Sequence, residues 1–201
     1  QMPLYSLALS TSLAKASLRN GLIDLHKSAY SLQSFKIENG QVNYDSGAPS
    51  LLPPDSIALR GLDPSHIALT GIGVQLDSLH YEGRDMKAII NRFVLKERSG
   101  LELLSTQGRL LSNQKSLRIP SLRLTTSDSD FELNASIDWD VFEMKSKGRL
   151  SARLMADIGK QDIIRLVGGM DEHFVQKYPA EPLRIRTGVD GDLNQLKLTT
   201  L

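Results

Sequence analysis

Ile119 to Trp139 reads IPSLRLTTSDSDFELNASIDW, and its alternation decides the fold class. Ser127-Asp128 is a turn dipeptide between two runs in which apolar and polar residues alternate. Folding the chain back there places Leu124 opposite Phe131, Arg123 opposite Glu132 and Leu122 opposite Leu133. Apolar residues then meet on one face and opposite charges on the other, a pairing worth about 0.2–1 kcal/mol per pair in an antiparallel ladder. The second run is long. Phe131, Leu133, Ala135, Ile137, Trp139 and Val141 share one side of an extended strand, and its expected neighbour carries Leu150, Ala152, Leu154, Ala156 and Ile158.

Upstream, Ser12 to Asp24 (SLAKASLRNGLID) superposes on Ser31 to Asn43 (SLQSFKIENGQVN) as an internal repeat. Asn20-Gly21 and Asn39-Gly40 coincide in it, and Asn-Gly is the strongest short hairpin signal. Two-residue turns there would set Ile37 against Val42 and Phe35 against Tyr44, and in the first copy Leu18 against Ile23 and Ala16 against Leu25. The spacing apolar-x-x-apolar-x-apolar recurs at Leu76, Leu79, Tyr81, at Ile90, Phe93, Leu95, at Ile119, Leu122, Leu124 and at Leu193, Leu196, Leu198. Its step of three breaks strict alternation and predicts a bulge or a strand start at a repeated place. Two stretches leave period two. Ile163, Leu166, Val167, Met170 and Phe174 fit one helical face, predicting one or two short amphipathic helices within 160–177 that cap one end of the apolar surface. Asp45 to Pro54 reads as a loop or crossover.

The sequence has 201 residues, 40% of them apolar, a net charge of +1 and no cysteine. Near-neutral charge argues against a nucleic-acid binder, and the lack of cysteine removes disulfides, thiolate metal sites and cysteine nucleophiles. No stretch approaches the roughly 20 apolar residues of a membrane-spanning helix. Gln1-Met2-Pro3 leads straight into alternating residues, and the chain stops inside Leu196–Leu201. Residues 1–201 therefore read as a single β-rich segment of a longer protein.

No residues converge on chemistry. His26, His66, His80 and His173 lack metal-ligand spacing and read as surface or turn residues. Gly71-Ile72-Gly73 has Leu76 where a dinucleotide loop needs glycine. Asp128-x-Asp130 and Asp138-x-Asp140 lack the spacing of a calcium loop, Asn134-Ala135-Ser136 is a formal sequon, and Arg184-x-Arg186 marks a solvated face. The reading is of a non-enzyme with no catalytic residue, metal or cofactor.

The functional candidate is the apolar face itself. It comprises Phe35 and Tyr44 from the second repeat, and Leu79, Tyr81 and Phe93 from the middle. Leu122, Leu124, Phe131, Leu133, Ile137 and Trp139 join it around the quoted hairpin, with Leu150 and Leu154 beyond. A dry core and an acyl-chain groove want the same side chains. Nine to twelve strands with such a face, and one helical segment to cover it, leave three outcomes: a closed sandwich or barrel, burial against other parts of a longer protein, or an open groove. Fold statistics favour the first.

Leu76 to Trp139 resembles a segment of the AsmA-like family, and within it the TamB-type (translocation and assembly module) proteins of Bacteroidetes. The likeness rests on Leu76-Asp77-Ser78-Leu79-His80-Tyr81 before Gly83, on Phe93-Val94-Leu95-Lys96-Glu97-Arg98-Ser99-Gly100-Leu101, and on Leu122-Arg123-Leu124 with Thr125 to Asp130. Gly159-Lys160-Gln161-Asp162 and Tyr178-Pro179-Ala180-Glu181-Pro182-Leu183 extend it over most of 57–201, while 12–45 matches in style alone. The resemblance implies a periplasmic part of an inner-membrane-anchored protein, its antiparallel sheet curled into an open, taco-like apolar groove. It implies phospholipid transport to the outer membrane and outer-membrane biogenesis. Partners would be phospholipid acyl chains, neighbouring β segments of the same chain and, through other regions, a BamA-like outer-membrane barrel. The alternative is a structural or protein-interaction β-domain with a closed core and no lipid.

Overall fold

The computed structural model describes residues 8–49, 61–143, 147–168 and 170–200. Eleven strands form a single antiparallel sheet: β1 Ala8–Ser12, β2 Lys15–Asp24, β3 Ala29–Asp45, β4 His66–Glu82, β5 Asp85–Glu97, β6 Glu102–Ser112, β7 Ser116–Thr126, β8 Ser129–Asp138, β9 Leu150–Ile158, β10 Leu183–Asp192 and β11 Gln195–Thr200. From β3 to β11 each strand pairs with the next in sequence. β1 and β2 lie end to end along the free side of β3. The sheet is open and does not close into a barrel. Among the described residues three short helices accompany it: α1 Trp139–Glu143, α2 Lys160–Val167 and α3 Glu172–Lys177.

The hairpin that decides the fold forms in the expected register. Leu124 pairs with Phe131, Arg123 with Glu132 and Leu122 with Leu133, and the Arg123 Nε lies 3.5 Å from a Glu132 carboxylate oxygen. On the other side of β8, Phe131, Leu133, Ala135 and Ile137 face Ala156, Leu154, Ala152 and Leu150. The step-of-three sites at Leu76-Leu79, Ile90-Phe93 and Ile119-Leu122 are all bulges, where one strand carries an extra residue against its partner. An extra residue restores the apolar side chain to the same face after the interruption. Leu193-Leu196 differs. Asp192 pairs with Gln195, so the step there spans the β10–β11 hairpin turn.

The two Asn-Gly hairpins do not form. Asn20-Gly21 lies inside β2 and Asn39-Gly40 inside β3. The reversal between them is at 25–28, where the Asp24 carboxylate accepts from the backbone N–H groups of His26 and Lys27 at 3.0 and 3.1 Å. A two-residue reversal needs positive φ at both central positions. Only the asparagines have it, 46° at Asn20 and 54° at Asn39, so the chain kinks and continues. Gly40 serves close approach instead: a Cβ there would sit 3.2 Å from Ile72 Cβ and 3.3 Å from a Leu13 methyl. Running on through Asn39 also lets β3 satisfy both of its edges, with β1 and β2 on one side and β4 on the other.

Trp139 and Val141 also depart from expectation, lying in α1 and not on β8. The partner strand β7 runs out at the Ser116–Asp138 pair, so the chain beyond has no ladder to join. The Trp139 N–H donates to Lys115 O at 2.9 Å and its indole Nε1–H to Asn113 O at 2.8 Å. Its ring packs on Phe142 and beneath the Arg84 guanidinium. Of the loop expected over 45–54, Asp45 ends β3, Ser46 to Pro49 lie outside strands, and 50–54 fall outside the described residues.

Candidate functional site: an uncovered apolar face

The registers carry one apolar face across the whole sheet. Tyr44 faces Ile67 and Phe35 faces Leu76 on β3–β4, and Leu79 lies opposite Leu32. Tyr81 faces Met86 and Val74 faces Phe93 on β4–β5, and Leu122, Leu124, Phe131, Leu133, Ile137, Leu150 and Leu154 continue it through β7 to β9. Twelve of the thirteen candidate residues thus share the face, and Trp139, drawn into α1, does not.

Nothing in the described chain lies over it. The extensive contacts between strands are all between hydrogen-bonded neighbours, so no second sheet packs on the first. Ala88, Ala135 and Ala156 are the only buried hydrophobic residues among those described. Each is a small side chain flanked by larger ones, and no leucine, isoleucine, valine or aromatic side chain reaches full burial. The chain exposes 13368 Å², against about 9,400 Å² for a compact protein of this mass. A closed sandwich, which fold statistics favour, is therefore not what this sequence builds.

Polar groups are buried instead, gathered at one set of strand ends. Asp162, in the first turn of α2, is 1% exposed. Its Oδ2 accepts from Ser129 Oγ at 2.6 Å and from Thr126 Oγ1, while Oδ1 lies 3.6 Å from Arg165 Nη1. Arg165 donates to Ser127 Oγ at 2.9 Å, and its carbonyl accepts from the Leu62 N–H at 2.6 Å. Glu97 is 3% exposed and accepts from the backbone N–H groups of Ser99 and Ala68 at 2.5 and 3.3 Å. α2 is anchored at this end of the sheet by these hydrogen bonds, and not by laying the apolar face of its periodicity on the wall. Leu166, Val167 and Phe174 stay 46%, 62% and 53% exposed. Tertiary proximity makes this cluster, and the only sequence signal for it is the acidic residue in the first turn of a helix.

His26, His80 and His173 are exposed. His66 departs from the surface reading: half-buried, its ring nitrogens lie 3.1 Å from Asp63 and 3.3 Å from Asp45, tying the start of β4 to the end of β3. Gly71-Ile72-Gly73 lies within β4. Arg186 makes a two-pronged pair with Asp157 at 2.8 and 3.0 Å. No group of three or more His, Asp or Glu among the described residues is arranged to hold a metal, and no helix among them is long and apolar enough to cross a membrane.

The discrete depressions of the surface meet the apolar wall at Phe131, Tyr44 and Leu79 only. One, a space of about 590 Å³ lined by residues including Asn91, Gln107, Arg109, Ser121 and Arg123, opens on the opposite face. A broad wall is not a pocket: of its twelve residues Tyr81 is 37% exposed, and the others are half-buried among their strand neighbours. Comparison with family models, with curated proteins and with solved structures finds no match to this chain.

Proposed function

We propose that the chain is a periplasmic segment of a TamB-like, inner-membrane-anchored envelope protein, whose apolar face carries phospholipid acyl chains toward the outer membrane. The observation that carries this reading is that, among the described residues, no large apolar side chain is fully buried. Burial contributes roughly 25 cal/mol per Å², so covering a few hundred Å² is worth several kcal/mol, comparable to a domain's whole stability. An acyl chain supplies such cover without any polar group to satisfy. No bond chemistry is involved: lipids would slide past weak, repeated contacts, with selectivity set by the width of the track. The free edges suit continuation by neighbouring β segments, since Leu18 and Leu22 on β2 and Leu196 and Leu198 on β11 are exposed beside unpaired backbone.

The test is mass spectrometry of protein purified without detergent. Co-purified phospholipid, lost on substituting Phe131 or Leu133 with aspartate while circular dichroism stays that of a sheet, supports the reading. The exposed leucines of the edges also favour a second reading, an interaction domain that works through strand addition alone. A lipid-free preparation that takes up no fluorescent fatty acid would select it.

A further inference from the structure

We infer that the polar face, opposite the acyl-chain wall, holds a binding site for a phosphate group in the depression between β5, β6 and β7. Residues 85–126 carry eight Lys and Arg against three Asp and Glu, net +5 in a chain whose total is +1. Other basic side chains on this face are answered by acids: Lys15 and Lys36 by Glu38, Arg186 by Asp157, and Arg123 itself, at 3.5 Å and on an exposed pair, by Glu132. Arg109 makes no ion pair among the described residues. Its direct cross-strand neighbours are Ile89 and Ser121, and Lys87, Asn91 and Arg123 lie diagonally. None is acidic.

The site has a structural origin. Between the Ile90–Gly108 and Leu95–Leu103 pairs the β5–β6 ladder is interrupted, and the depression of about 590 Å³ opens there. Arg109 and Arg123 sit on diagonal positions, roughly 7–8 Å apart at the backbone, close enough for two guanidinium forks to reach one tetrahedral oxyanion from two sides. Gln107 and Ser121 add neutral donors, and no carboxylate is among the residues that line the space, although Asn91 at its edge donates to Asp77 at 2.5 Å. Like charges placed side by side destabilise a ladder, and a bound dianion reverses that cost. This site lies on the other face from the acyl-chain track and does not rest on that proposal.

The probe is inorganic phosphate, titrated into the whole chain at low salt while the arginine side-chain N–H signals are followed by NMR. Saturable shifts at Arg109 and Arg123 are expected, weakened about tenfold or more by Arg109→Gln, the loss of one charge-assisted pair of hydrogen bonds. Arg118→Gln, an exposed change on the same face outside the depression, is expected to leave them unchanged. Vesicles of phosphatidylglycerol in phosphatidylcholine identify the source: Arg109-dependent pelleting names a lipid headgroup, and phosphate binding without pelleting names a soluble phosphate ester. No saturation at millimolar phosphate, or equal weakening by Arg109→Gln and Arg118→Gln, overturns the site.

Discussion

Leu133 and Leu154 face each other directly across β8 and β9, and neither is buried. In a two-layer protein such a central pair would be sealed by the facing sheet. Here each gains its cover from strand neighbours alone, so truncation removes a cross-strand contact and leaves no closed cavity. Leu133→Ala should therefore cost about 1–2 kcal/mol in urea denaturation, below the 2.7–5 kcal/mol of fully buried leucines. A loss at the upper end of that range would mean the face is covered.

Asp162 is 1% exposed, and it holds α2 across the β7–β8 turn. Asp162→Ala leaves the Ser129 and Thr126 hydroxyls without their acceptor, at a cost of about 1–3 kcal/mol. Hydrogen exchange should quicken first in 159–168, with β8 and β9 still protected. Uniform loss of protection across the sheet would contradict an anchor confined to the helix.

The left-handed backbone at Asn39 separates a bulge from a reversal. Asn39→Gly should be neutral within a few tenths of a kcal/mol, whereas Asn39→Val should cost about 1–2 kcal/mol, since a branched side chain resists positive φ. Gly40→Ala should also destabilise, because its Cβ would crowd Ile72 and Leu13. Gly40→Ala with unchanged stability would place that residue in an open turn.

The Lys36 ammonium, 2.5 Å from Glu38 Oε1, and then Lys15, 3.4 Å from Oε2, hold the Glu38 carboxyl below the usual glutamate range. A lowered folded pKa means the pairing contributes above the unfolded value and is lost as pH falls through the folded one. The β2–β3 clasp is thus intact at neutral pH and opens on acidification. An NMR titration should show Glu38 protonating below the usual glutamate range, and Lys36→Met should raise its midpoint. A midpoint in the ordinary range would contradict the clasp.

The quoted hairpin was legible because three constraints agree on its register: a turn dipeptide, an apolar alternation and the Arg123–Glu132 charge pair. The bulges were legible for a related reason, since a step of three inside period two has few other solutions. Asn20-Gly21 and Asn39-Gly40 misled because a kink in a continuing strand uses one left-handed residue and a turn uses two, and both favour the same dipeptide. What decides between them is the partner strand, β3 for Asn20-Gly21 and β4, more than twenty residues away in sequence, for Asn39-Gly40. Trp139 shows the same limit. Its alternation continues that of β8, but the end of β7 sets where the ladder stops. The Asp162 and Glu97 clusters are made by segments far apart in the chain, so no local pattern announces them.

The central claim is that the apolar face is open and takes acyl chains. Methyl NMR of the whole chain with a nitroxide-labelled fatty acid tests it most directly. The account predicts broadening of Leu122, Leu133, Leu150 and Leu154 methyl signals, with the exposed Met155 methyl on the opposite face of β9 spared. Equal broadening of Met155, or none of the leucines, would contradict it.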